Sequence, residues 1–248
     1  MLADAGELSR IMYNGLKREF DIVHLVIEDE IPSLSLIRKR IRRLGLLRTA
    51  GQVSFILLNR MMRRFSAERI AAIKRSHGLD DSGYPSERVT IVENVNDDRA
   101  VQILRRFNPD AVVVNGTRIL SKRILDATDA VFLNTHVGMT PRYRGVHGGY
   151  WALANGDEAH CGVTVHLVDE GIDTGGVLYQ ARITVSRADN INTYPYLQIA
   201  EAIPLMKQAL RDAANGSLVV RTGVGPSQLW SHPTLFEYLR NWSSRGVR

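Results

Sequence analysis

Cysteine occurs once, at Cys161, which excludes an intramolecular disulfide framework and any site built on several thiolates, and points to a reducing compartment. Long apolar runs are missing as well. The best candidate, Val53 to Leu58, is soon followed by Arg60 and falls far short of the roughly 20 residues that a membrane span needs. The opening residues Met1 to Glu7 lack the basic and apolar regions of a signal peptide, so the expectation is a cytoplasmic protein without a transmembrane segment. Glycine is scarce where a dinucleotide fingerprint would need it: Leu2-Ala3-Asp4-Ala5-Gly6-Glu7 has one glycine and two carboxylates, which disfavours a nicotinamide cofactor. His147, His160 and His166 fall at no metal-ligand spacing, and no metal is implied. His166 reads as a strand residue turned to the core. Internal repeats and low-complexity linkers are also absent.

What is present is an apolar chain, 44% of 248 residues, with enough material for one large core. Glu7 to Phe20 reads as a helix, Asp21 to Ile27 as a buried strand, Ala67 to Ser76 as a helix and Val89 to Val92 as a strand. Asp97 to Phe107 is helical, and Asp110 to Val114 and Ala130 to Leu133 are apolar strands. This alternation predicts an α/β fold: a doubly wound, mostly parallel sheet with helices on both faces. Met1 to Ala3 is all that stands where the first strand belongs, so either Met1 to Ala5 is that strand in abbreviated form or the start of the chain is shortened. Farther on, Val163 to Val168 and Val177 to Val185 alternate as strands, and Tyr194 to Asn215 is helical with a kink or break expected at Pro204. The expected organisation is a catalytic domain over 1–216 and a tail, 217–248, packing back through Trp230, His232, Tyr238 and Trp242.

Charge is unevenly spread. Arg38, Lys39, Arg40, Arg42, Arg43, Arg48, Arg60, Arg63 and Arg64 lie between Ile31 and Phe65 with no acidic residue among them, and taking those nine from the net +6 leaves −3 for the rest. Leu34, Ile37, Ile41 and Leu44, then Val53, Ile56, Leu57 and Met61, recur at helical spacing, so 31–76 is expected to be a helical insertion with cationic outer faces. Such a run is either a plain solvated face or a surface for anionic partners: a nucleotide diphosphate, tRNA or membrane headgroups.

Leu133-Asn134-Thr135-His136 leads out of a strand, Pro141-Arg142-Tyr143-Arg144-Gly145 follows, and Gly171-Ile172-Asp173-Thr174-Gly175 comes later. In a parallel sheet, ligands bind beyond the carboxyl ends of strands, where Asn134, His136 and the Asn115 to Arg118 turn are expected. An amide, an imidazole and a carboxylate there suit acyl transfer. Asn134 would donate to a tetrahedral oxyanion, His136 would donate to it or handle the amine proton, and Asp173 would orient the imidazole or accept that proton. Taken singly, each is an ordinary strand-end or turn residue.

The run from Leu133 to Gln180, with the Arg118-Ile119-Leu120-Ser121 block before it, resembles the catalytic core of the formyltransferases that use 10-formyltetrahydrofolate. Matches extend from about Asp110 through Leu210. The resemblance implies that Asn134, His136 and Asp173 are the catalytic set. It also implies that Arg118, Ile119 and Leu120, with Val168, Asp169 and Ile172, line the folate pocket. Glycinamide ribonucleotide transformylases place a glycine- and Ser/Asn-rich phosphate loop after the first strand, whereas this chain has Asp4, Gly6 and Glu7 there. Methionyl-tRNA formyltransferases carry a further C-terminal domain, whereas about 30 residues follow Gly216, and formyltetrahydrofolate hydrolases usually carry an N-terminal regulatory domain. The Tyr143 to Trp151 loop resembles that of sugar-modifying members. The expected acceptor is therefore a nucleotide-linked amino sugar rather than a nucleic acid, contacted by Arg142, Tyr143, Arg144, Tyr150 and Trp230. A homodimer stays open, as do a hydrolytic variant and a folate-binding module without turnover.

Overall fold

A computed structural model describes residues 1–29 and 33–248, with the side chains of 33–36 and 39 outside that description. Glu30 and Ile31 of the sequence reading therefore lie outside the described residues, as do the side chains of Leu34 and Lys39. In chain order the elements are β1 (Leu2–Asp4), α1 (Glu7–Leu16), β2 (Leu25–Glu28), α2 (Ser33–Leu44), α3 (Leu46–Met62), α4 (Ala67–His77), β3 (Val89–Val92), α5 (Asp98–Phe107) and β4 (Ala111–Asn115). There follow α6 (Lys122–Leu125), β5 (Val131–His136), β6 (Arg144–Gly145), α7 (Gly148–Ala154), β7 (Gly162–Leu167), β8 (Val177–Arg182), α8 (Tyr194–Ala214), β9 (Leu229–Trp230) and α9 (Leu235–Arg245).

Seven strands form one sheet in the order β3-β2-β1-β4-β5-β7-β8. The first five are parallel, and β7 and β8 run antiparallel to their neighbours. This is the doubly wound, mostly parallel sheet expected, with the short first strand at its centre. Three residues suffice for β1 because it is paired on both sides, Leu2 with Val26 and with Val114.

Alternation along the strands sorts side chains between two layers. Val112 and Val114 join Leu2, Val26 and Phe132 against Val101 and Leu104 of α5 and Ile124 of α6. Val113 and Leu133 face the other way, against Ile11, Met12 and Leu16 of α1 and Ile199, Ala202 and Met206 of α8. Each of these fully buried aliphatic side chains contributes about 1.5–3 kcal/mol of transfer free energy. The break expected at Pro204 is absent: α8 runs unbroken from Tyr194 to Ala214. Pro204 is exposed, so the carbonyl it leaves without an N–H partner faces water.

The basic segment forms α2 and α3 as two helices joined at Gly45, whose φ of +81° favours glycine. The inner face of α3 buries Thr49, Gln52 and Phe55. Gln52 donates to the carbonyl of His232, which ties the insertion to the last part of the chain. No helix among the described residues is long and apolar enough to cross a membrane.

Candidate active site

Asn134 and His136 lie two residues apart on β5, so their side chains share one face of the sheet. Across the antiparallel β5–β7 pair, Asn134 stands opposite His166 and His136 opposite Thr164. His166 is buried, as expected of an inward-facing strand residue, and that register sets it in the same cluster as Asn134. The parity of a strand decides the side, and one sequence without its pairing partner does not reveal it.

The hydrogen bonds fix the roles. His166 Nδ1 is 2.6 Å from the carbonyl oxygen of Leu167, so it carries the proton. Its Nε2 is then an acceptor, and at 3.0 Å it takes an N–H from the Asn134 amide. The second N–H of that amide is left to donate elsewhere. His136 Nε2, 2.7 Å from the carbonyl oxygen of Tyr143, donates to it and thereby turns Nδ1 toward Asp173 Oδ2 at 3.3 Å. Burial is the main influence on His136 and holds its proton affinity below the ordinary imidazole value, while Asp173 and the Tyr143 carbonyl pull the other way. Burial by itself would raise the Asp173 carboxyl. The contacts with His166 and His136 and the N–H of Gly145 outweigh it and hold Asp173 below the usual carboxylate range. The pair is therefore a neutral imidazole facing a carboxylate, with Nδ1 and Oδ2 placed to share one incoming proton.

Asp173 reaches this position from the loop between β7 and β8 in a strained backbone conformation, φ +51°. The loop is fastened from several directions. Asp169 Oδ1 accepts from the N–H of Gly171 and the hydroxyl of Thr174, Arg144 Nη1 donates to the carbonyl of Ile172 at 2.9 Å, and Gly145 N–H donates to Asp173 Oδ2 at 2.8 Å. Gly145 itself is held at φ +92° between β5's following loop and β9, where a Cβ would come within 2.2 Å of the Trp230 carbonyl oxygen.

Of the residues expected around a folate, Arg118 to Leu120 form the turn beyond β4, whose neighbour is β5. The Arg118 guanidinium is engaged by buried Glu28 and the Glu93 carbonyl, and Leu120 is buried, so this turn offers its backbone and the 51% exposed Ile119. Val168 and Ile172 are half-buried on the β7–β8 side, and Asp169 is exposed. Glu28, which also accepts from the N–H groups of Arg118 and Val95, escaped the sequence reading because nothing local to it shows that three strand ends meet there.

The residues expected at the acceptor divide. Arg142 is half-exposed and stands 3.8 Å from Asp157, and Arg144 is tied to the Asp173 loop with its Nε buried and without a partner among the described residues. The aromatics are corrected. Tyr143 is 4% and Tyr150 1% exposed, with their hydroxyls bonded to Asp157 and Asn241. Trp230 stacks between Tyr143 and Trp151 and donates to the Arg142 carbonyl. Tyr143 and Tyr150 are thus core residues, and Trp230 is half-buried against Tyr143 and Trp151.

The α1 amino end, where the sequence lacks a phosphate loop, is filled from within. The Asp4 carboxylate accepts from the N–H of Gly6 at 3.0 Å and from the Ser9 hydroxyl.

Residues 77–202, 126 of 248 and thus just over half the chain, match the family model described as Formyl transferase. The chain belongs to the formyl transferase family. Similar sequences within it include the methionyl-tRNA formyltransferase of Thermodesulfovibrio yellowstonii, 39% identical over 102 residues, which are 41% of this chain and 33% of that protein. The methionyl-tRNA formyltransferase of Anaeromyxobacter dehalogenans is 38% identical over 128 residues, 51% of this chain and 41% of that one. The chain thus matches well under two thirds of these curated relatives' length. Among solved structures, a sugar N-formyltransferase from a Shewanella species superposes with a TM-score of 0.55 at 17% identity, over 92% of this chain and 74% of the other. The phosphoribosylglycinamide formyltransferase of Streptococcus pneumoniae gives 0.52 at 20% identity, over 85% and 96%. At identities this low the likeness speaks to the fold alone.

Proposed function

We propose that this chain transfers a formyl group from a 10-formyltetrahydrofolate-type donor to a primary amine. The observation that carries the reading is the convergence of Asn134, His136, His166 and Asp173 at one strand end, in a chain of the formyl transferase family. The donor supplies a formyl carbonyl bonded to nitrogen. The turn of Arg118 to Leu120 follows β4, the neighbour of β5, and Val168 and Ile172 belong to the loop that carries Asp173; the exposed Ile119 and the half-buried Val168 and Ile172 suit a flat heteroaromatic ring.

When the amine nitrogen bonds to the formyl carbon, charge grows on the formyl oxygen. The free N–H of Asn134 is the donor for it, held in orientation by His166. The amine gives up a proton to the Asp173–His136 pair, and the same pair returns one to the donor's departing nitrogen as the old carbon–nitrogen bond breaks. Atoms and charge balance without a covalent enzyme intermediate. Buried Cys161, its thiol pushed up to about 12, needs no part in it.

Two observations bear on the acceptor. The names of the curated relatives support an aminoacyl ester of methionyl-tRNA as the first amine to test, beside the nucleotide-linked amino sugar expected from the loop. A small ribonucleotide phosphate is disfavoured, because the Asp4 carboxylate stands beside the α1 amino end, bonded to the N–H of Gly6 and the Ser9 hydroxyl, and would repel a second anion there. The test is incubation of the chain and 10-formyltetrahydrofolate with methionyl-tRNA, nucleotide-linked amino sugars and glycinamide ribonucleotide in parallel. Mass spectrometry should find one formylated amine and stoichiometric tetrahydrofolate. Donor turnover with free formate in every tube would replace transfer by hydrolysis, and no turnover in any would defeat the reading.

A further inference from the structure

The outer side of α3 is apolar. Leu47, Leu57 and Met61, with Phe65 in the turn that follows, are 60–90% exposed, and their spacing of ten, four and four residues sets them on one stripe opposite buried Thr49, Gln52 and Phe55. Leu46, 68% exposed, extends the stripe at the α2–α3 turn. At Gly51 the missing Cβ leaves room for Thr234, so the start of α9 packs beside the stripe and exposes Phe236 two residues on. Contiguous exposure of this kind on a folded chain marks a docking surface.

The charge on the hairpin itself is of one sign, with Glu237 and Glu7 of neighbouring elements paired to Arg48 and Arg63. Arg38, Arg42, Arg43, Arg60 and Arg64 are exposed, and none has an ion-pair partner among the described residues. A second copy of the chain would set these cations against themselves. A nucleic acid would satisfy the arginines and leave the leucines, Met61 and Phe65 in water. Only a bilayer surface offers both anionic phosphates and an apolar layer a few ångströms beneath them.

We propose that the α2–α3 hairpin is a peripheral membrane-docking element that lies on anionic lipid headgroups with the α3 stripe inserted. The hairpin is inserted after β2, which is parallel to β5, so it leaves the sheet at the edge that carries Asn134 and His136. Docking through it brings that edge close to the lipid surface.

The test is flotation of the full chain with phosphatidylcholine vesicles prepared with and without phosphatidylglycerol. Binding should rise roughly tenfold or more with the anionic lipid and fall as salt is added. The double variant Leu47→Asp/Leu57→Asp should float no better than with phosphatidylcholine alone while keeping the parent's melting temperature. Arg42→Glu/Arg43→Glu should lose the anionic preference. Absence of flotation with either vesicle, equal flotation with both, or undiminished flotation of the Leu47→Asp/Leu57→Asp variant would each overturn the proposal. So would a concentration-dependent dimer or a tRNA complex that the same substitutions abolish without any effect on vesicles. None of these readouts depends on formyl transfer.

Discussion

In the proposed reaction Asn134 has a single N–H to offer the formyl oxygen, because His166 takes the other. Asn134→Ala should therefore lower kcat by about 100 to 1000-fold, the usual cost of one oxyanion donor, with the urea midpoint little changed. His166→Ala leaves the amide present but unaimed. A kcat loss of about tenfold is expected, partly restored in His166→Gln, whose side-chain oxygen can accept the same N–H. A second pair of imidazoles is structural. His147 Nε2 and His232 Nδ1 are 3.0 Å apart, and burial lowers their pKa values from 6.5 to about 3 and about 4. The unfolded chain accepts two protons that the folded chain refuses. Stability is thus complete above pH 6.5 and falls as pH drops from there toward 4, by up to about 2.7 kcal/mol per pH unit. Urea titrations at neutral and mildly acid pH read this directly, and His232→Gln should flatten the dependence.

Elements hold these residues by close approach. Gly145→Ala places a side chain at φ +92° against the Trp230 carbonyl, and the resulting shift of β6 from β9 withdraws the N–H that holds Asp173. A stability loss of about 1–3 kcal/mol is expected, together with a lower kcat. Thr234 and Glu237 form a reciprocal cap on α9, and Thr234→Ala should cost about 1 kcal/mol in the melting curve without touching kcat. The elements were largely legible because apolar strands such as Ala111 to Val114 alternate with amphipathic helices, and local period dictates type. Asn134, His136 and Asp173 were legible as residue types beside turns. Trp230 was legible as part of a tail that packs back; His166, Glu28 and the burial of Tyr143 and Tyr150 were not, since each depends on a partner far along the chain: β5 for His166, Arg118 for Glu28, and the segment from Trp230 to Asn241 for the two tyrosines.

At the scale of the molecule, the central strands β1, β4 and β5 are paired on both sides and covered on both faces, whereas α2 rests chiefly on α3. Amide exchange should accordingly be slowest in β4 and β5 and fastest in α2, a ranking that mass spectrometry of exchanged peptides can check. Slow exchange in α2 would mean that the hairpin is anchored by more than α3. The sheet also gives its N-terminal aspartate a role at the level of ligand choice. Asp4 is an anion tethered beside the N-cap of α1, bonded to the Gly6 N–H and the Ser9 hydroxyl, and the tether gives it an effective concentration that a free anion would have to exceed at those two donors. Selectivity on that side of the sheet then becomes a competition within the chain. Asp4→Ser, by removing the competitor while keeping a small polar side chain, should turn the α1 amino end into a receptor for inorganic phosphate.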